Sequence, residues 1–159
     1  MPNSPFQMTK DRLEFFKSLY EEETTRFRDL IDRGKIILSL VTLYTGFMLF
    51  VIEKSRPKVL LTQCWFGAAL FSFLAAFVLA MIAMGIYDYE KPNDPEALLG
   101  ELDAGDMTDT DYFRARATDY AVAANVNSGQ NDKRAKYLNL SVWSIMAGLI
   151  LHGTYFYVG

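Results

Sequence analysis

The chain has 159 residues, 19 of them Asp or Glu and 16 Lys or Arg, giving a formal net charge of −3. One cysteine and one histidine exclude a disulfide scaffold and a zinc cluster by count, and the length fits one compact unit. The mean hydropathy of +0.07 averages two unlike populations, because every formal charge lies outside Ile36–Ile52, Val59–Tyr87 and Tyr137–Val158. Such segregation marks a multi-pass membrane protein.

Residues 1–8 contain two prolines and no periodicity, so a loose start is expected. Thr9 offers an N-cap for a helix beginning at Lys10. Leu13, Phe16, Leu19, Tyr20, Phe27, Leu30 and Ile31 then recur at helical spacing, opposite Glu21, Glu22, Arg26, Asp29 and Arg33. Residues 1–35 are therefore read as a cytosolic amphipathic helix that runs into the first span. Its mixed charge favours packing in a bundle over lying flat on a membrane. A late first apolar run with no cleavage site argues against a secretory signal peptide.

Residues 36–87 are read as a transmembrane hairpin, with spans at 36–52 and 59–87. The polar turn Glu53–Lys58 holds Pro57, which ends helical continuity. The second span is uncharged throughout and would reach ~43 Å as a helix, against ~30 Å for the hydrocarbon core. Cys64 is read there as a small packing residue. Ala68, Ser72, Ala76 and Ala80 recur every four residues, a spacing that lets helices approach closely in lipid. They are candidates for packing within the chain, for oligomer packing, or for both.

Residues 88–136 are acidic and read as a cytosolic helical region. Asn93-Asp94-Pro95-Glu96 is a helix start, with Asn or Asp as cap, leading into a short helix 97–102. A turn around Gly105 follows. Thr108-x-x-Asp111 resembles a capping box, opening a helix from about 109 to 157. Tyr112, Phe113, Arg116, Tyr120, Ala123, Ala124 and Asn127 share one side of it. Residues 137–159 are read as a third transmembrane helix. Basic residues favour a cytoplasmic N-terminus and 88–136 segment, since 13 then lie inside and 3 outside. The expected location is an inner membrane, with the C-terminus periplasmic.

Catalysis finds no foothold. No phosphate-binding glycine loop or triad is present, so neither enzymatic activity nor a cofactor is expected. Asp103, Asp106, Asp109 and Asp111 miss the calcium-loop spacing and read as a solvated turn and helix start, so no metal site is assigned. His152 shares a helix face with Ser141, Ser144, Gly148 and Tyr155. It is a candidate pore or proton-sensing group, or an interhelical hydrogen-bonding one. Thr42, Thr45 and Ser144 join it as candidate pore or gate residues, although helical hydroxyls also bond their own backbone. Arg26, Arg28, Arg114 and Arg116 lie amid aromatic residues. They are candidates for nucleotide or nucleic-acid binding, or for pairing with nearby carboxylates.

The N-terminal amphipathic helix, the hairpin Ile36–Tyr87, and a downstream helix reading Tyr120-Ala121-Val122-Ala123-Ala124-Asn125, Asn131-Asp132-Lys133-Arg134-Ala135-Lys136 and Leu138 form one pattern. It resembles small bacterial membrane effectors of anti-phage defence, including SLATT-type proteins and those of the CBASS, Pycsar and Hailong systems. The third span departs from the simplest two-span versions. The resemblance implies an oligomeric ion channel or pore that compromises the inner membrane, triggered by a nucleotide or oligonucleotide from a partner nucleotidyltransferase. The expected molecule is thus an all-α integral membrane protein with three transmembrane helices, cytosolic helical extensions and a symmetric homo-oligomeric state, a tetramer being the assembly considered. The alternative is a non-conducting membrane-anchored adaptor or assembly subunit for a protein partner.

Overall fold

A computed structural model describes residues 5–54, 60–85 and 89–158. All regular structure among them is helical: α1 (Pro5–Lys54), α2 (Leu60–Met84), α3 (Pro95–Asp103) and α4 (Asp109–Val158). α1 begins at Pro5, ahead of the expected start at Lys10. Of the turn expected at Glu53–Lys58, Glu53 and Lys54 are helical and belong to α1 instead, while residues 55–58, Pro57 among them, lie outside the described residues.

α3 and α4 start where local chemistry places them. Asp94 accepts a hydrogen bond from the Glu96 amide at 3.1 Å, and Pro95 opens α3. Gly105 has φ +78°, a left-handed conformation that a glycine adopts without penalty. Thr108 Oγ1 accepts from the Asp111 amide at 3.2 Å and donates to Asp111 Oδ2 at 2.7 Å. The shorter Asp side chain therefore engages the capping hydroxyl.

The four segments expected from the sequence gather into two compact units. Unit 1 comprises Met1–Arg28 and Asp88–Asp132. In it the first part of α1 runs parallel to the first part of α4, as the pairs Tyr20–Tyr120 and Glu23–Asn131 require. Unit 2 comprises Asp29–Tyr87 and Lys133–Gly159. There the rest of α1 and of α4 are parallel and α2 is antiparallel to both. Gly34 lies against Met84 and Leu138, while at the other end Tyr44 and Phe66 both meet His152.

The seams of unit 2 follow coiled-coil spacing, alternating three and four residues. On α2 the buried positions are Phe66, Ala69, Phe73, Ala76, Ala80 and Ala83. On α1 they include Leu30, Ile37, Val41 and Met48. α4 contributes Arg134, Leu138, Ser141, His152 and Tyr155, so its buried stripe is largely polar. The outside is the reverse. Leu43 is 75% exposed, Phe71 71% and Trp143 72%, with Leu40, Phe47, Leu74, Met146 and Ile150 also exposed. Exposed apolar surface of this extent marks a face for lipid or for other protein. α1 and α2 are long and apolar enough to cross a membrane, and only 22% and 33% of their apolar windows is buried within the protein. A core helix of a soluble protein would have most of that window covered. Cys64, expected as a packing residue, is exposed instead.

Candidate functional site

In unit 1 the polar side chains of α4 strap down the segment that precedes α3. Asn127, 0% exposed, uses both ends of its amide on one residue. Its Oδ1 accepts from the Glu90 amide at 2.8 Å, and its Nδ2 donates to the Glu90 carbonyl at 2.9 Å. Arg116 Nη1 donates to the Asn93 carbonyl at 2.6 Å and lies 3.3 Å from Asp119 Oδ2, with its guanidinium over the Tyr120 ring. Asn93 Nδ2 in turn donates to Asp119 Oδ1 at 3.1 Å. Tyr89 hydrogen-bonds to Thr24 and packs on Phe27 and Tyr20. Asn131 Nδ2 donates to both the carbonyl and the carboxylate of Glu23. Segment 89–94 is thus held at three points along its length.

The four candidate ligand-binding arginines are not brought together. Arg26 pairs with Asp132 at 2.6 Å and with Glu23 at 3.5 Å. Arg116 sits sixteen residues before Asp132 on α4, about 24 Å away at the helical rise. Arg114 is exposed and pairs with Asp111 at 3.3 Å. Arg28 is exposed, with no carboxylate partner among the described residues. The bond to Asp132 pushes the Arg26 guanidinium above its ordinary pKa, so it stays charged. Burial pushes the Tyr89 phenol up, so it stays neutral well past physiological pH, although the bond with Thr24 pulls the other way. Neither group is poised to move a proton near neutrality.

In unit 2 the polar groups lie inside. Ser141 Oγ donates to the Ala76 carbonyl at 2.7 Å, a close approach that the alanine side chain permits. His152 Nδ1 and the Tyr44 hydroxyl share a hydrogen bond of 2.7 Å. The imidazole stacks on Tyr155 at 5.8 Å and meets Tyr44 and Phe66 edge-on. This arrangement ties α4 to α1 at the end remote from Gly34. Ser144 is half-buried on the same helix.

Thr42 and Thr45 do not meet His152. With Gly46, Leu49, Leu70 and Leu74 they line an open apolar groove of 530 Å³ between α1 and α2. The small-residue row divides as well. Ala76 and Ala80 are fully buried inside the protein, Ser72 is half-buried and Ala68 is exposed. A four-residue step overshoots a full helical turn by about 40°, so the row winds off the seam. Ala69, Ala76 and Ala83, seven apart, keep to it.

Sequence reasoning missed the bonds of Asn127 to Glu90 and of Asn131 to Glu23, and for the interhelical hydrogen bond considered at His152 it did not name Tyr44 as the partner. A signal for them exists: Tyr120, Asn127, Arg134, Ser141, Gly148 and Tyr155 recur every seven residues. That is one coiled-coil position occupied by polar or small residues. Among the described residues no group of three or more His, Cys, Asp or Glu side chains gathers as for a metal. No family model, curated protein or solved structure matches this chain.

Proposed function

We propose that unit 2 crosses a membrane three times, through α1, α2 and residues 137–158 of α4, and that copies assemble into a gated pore. The observation that carries this reading is the inverted unit 2, apolar outside with Arg134, Ser141 and His152 inside. Residues 137–158 hold no formal charge and expose Leu140, Val142, Trp143, Met146 and Ile150, as the other two spans do. The parallel course of α1 and α4 puts Arg33, Lys35, Lys133 and Lys136 toward one end of unit 2, which the positive-inside rule assigns to the cytoplasm.

Conduction runs between copies, because Met48, Phe73 and His152, each 1% exposed or less, fill the interior of one protomer. The outward Thr42 and Thr45 then supply hydroxyls to a shared path. Unit 1 receives the signal, with Arg28 and Arg114 on its surface to meet the phosphates of a nucleotide or oligonucleotide. The resemblance to anti-phage effectors supplies the biological setting, the loss of the inner-membrane barrier. Gating requires that the ligand bind one of two states more tightly. Purified full-length protein in liposomes is expected to pass ions when cyclic or short linear oligonucleotides are added. Absence of flux with every ligand, together with a monomer in detergent, would end this reading.

A second reading is a non-conducting membrane adaptor. It is favoured by the internal bonding of Asn127, Arg116, Ser141 and His152, which suits a static scaffold. Electrically silent bilayers and capture of one stoichiometric protein partner would select it.

A further inference from the structure

We infer that unit 2 carries a site for one anionic phospholipid, between α1 and α4 at its charged end. The inference rests on the membrane reading above. A groove of 310 Å³ opens there. Leu30, Ile37, Leu138 and Val142 form its apolar lining, and Arg33 and Asn139 supply the polar groups. Arg33 is exposed, has no carboxylate partner among the described residues, and lies three residues before the uncharged run that starts at Ile36. By contrast, the neighbouring Lys35 is paired with Asp32 at 2.8 Å. On α4, Lys133 and Lys136 are exposed and likewise lack a carboxylate partner among the described residues.

Charge and shape together select the occupant. A guanidinium presents a planar fork that matches two phosphate oxygens. The Asn139 amide adds one donor beside it. The apolar lining continues from Leu138 to Val142, one helical turn into the uncharged run, and suits an acyl chain. A free phosphate would leave that lining in water, and a zwitterionic headgroup brings its own cation to Arg33. A lipid with a net negative headgroup satisfies both parts of the groove. One basic side chain at an anionic surface is worth about a fivefold preference.

The two tryptophans, Trp65 and Trp143, make the test direct. Trp143 lies four residues beyond Asn139 on α4 and is 72% exposed. Full-length protein carrying Trp65→Phe is placed in bilayers containing phosphatidylcholine and phosphatidylglycerol, with bromine on the acyl chains of one or the other. Brominated phosphatidylglycerol is expected to quench Trp143 with about a fivefold lower half-effective fraction than brominated phosphatidylcholine. Arg33→Gln should bring that ratio close to one while leaving quenching by phosphatidylcholine unchanged. Ala135 also lines the groove, and Ala135→Phe, which fills it without altering charge, should do the same. Equal quenching by the two lipids before substitution overturns the site and leaves the membrane reading standing. A preference that survives Ala135→Phe is diffuse attraction and also overturns it. Absence of quenching by either lipid removes the membrane reading, and the site with it.

Discussion

Asn127→Asp is expected to give a protein close to the parent in acid and markedly less stable at neutral pH. The asparagine amide both accepts from and donates to the backbone of Glu90. A protonated carboxyl has the same two faculties in nearly the same shape, one oxygen accepting and one O–H donating. Once ionised it only accepts, and one of its oxygens is then set against the Glu90 carbonyl oxygen. The position is fully buried, so the charge is also poorly solvated. Both effects raise the carboxyl pKa in the folded protein above its unfolded value of about 3.9. The strap is therefore intact below that value and lost as the pH rises through the raised folded pKa. A rise of about two units corresponds to a cost of about 3 kcal/mol at neutral pH. Asn127→Leu removes both bonds with no titrating group, and should cost about 2 kcal/mol at every pH. Urea melts across the pH range, each referred to the parent at the same pH, check the pair. Amide exchange at Glu90 should quicken in both variants at neutral pH. Parallel pH profiles for the two substitutions would show that Asn127 does not clasp Glu90 through both of its atoms.

What was legible in the sequence was local. Apolar runs give α2 and the apolar part of α1, because a helix with no face for water must be covered by something other than water. Asp94 with Pro95, and Thr108 with Asp111, fix two helix starts within a few residues of chain. The interior was not legible, because its partners are far apart in sequence. Asn127 and Glu90 are separated by 37 residues, and Asn131 and Glu23 by 108. Arg116 reads as a surface cation until the Asn93 carbonyl, 23 residues away, is brought to it. The stripe of α4 hides for a related reason. Hydropathy detects a seam by its apolar residues, and this seam holds Asn127, Asn131, Arg134, Ser141 and His152. In lipid such a pattern is physically reasonable, since the outside is already apolar and polar groups gain by facing one another. A search for seven-residue recurrence without regard to polarity would have marked the same positions.

Gly148→Leu is expected to be the most damaging single substitution in unit 2, with Gly148→Ala a milder form of the same fault. A Cβ at this position would lie 2.9 Å from Phe73 Cε2, 3.0 Å from Cζ and 3.1 Å from Cδ2. Real contacts of that length are repulsive, so the ring must move. It has little room: Phe73 is 1% exposed, and its ring centroid is 4.7 Å from that of Tyr44. Tyr44 is itself bound to His152, so the push would reach the bond that ties α4 to α1. Replacing glycine by alanine within a helix returns about 1 kcal/mol of backbone entropy. Overpacking a well-filled core costs about 1–3 kcal/mol for each such insertion, so the clash wins. Gly34→Ala is the informative contrast. Its Cβ would meet Met84 Cγ at 2.9 Å and Sδ at 3.1 Å, a distance that looks equally forbidding. Met84 is unbranched and ends α2, so it can swing aside, and the gain in helix propensity should leave Gly34→Ala close to neutral. Thermal melts of the full-length protein in detergent should place Gly148→Ala below the parent and Gly34→Ala near it. Phe73→Leu should recover part of the loss when combined with Gly148→Ala, with a coupling of about 1 kcal/mol. Strict additivity of those two substitutions would mean that Gly148 and Phe73 do not meet, and that α2 and α4 are packed in another register.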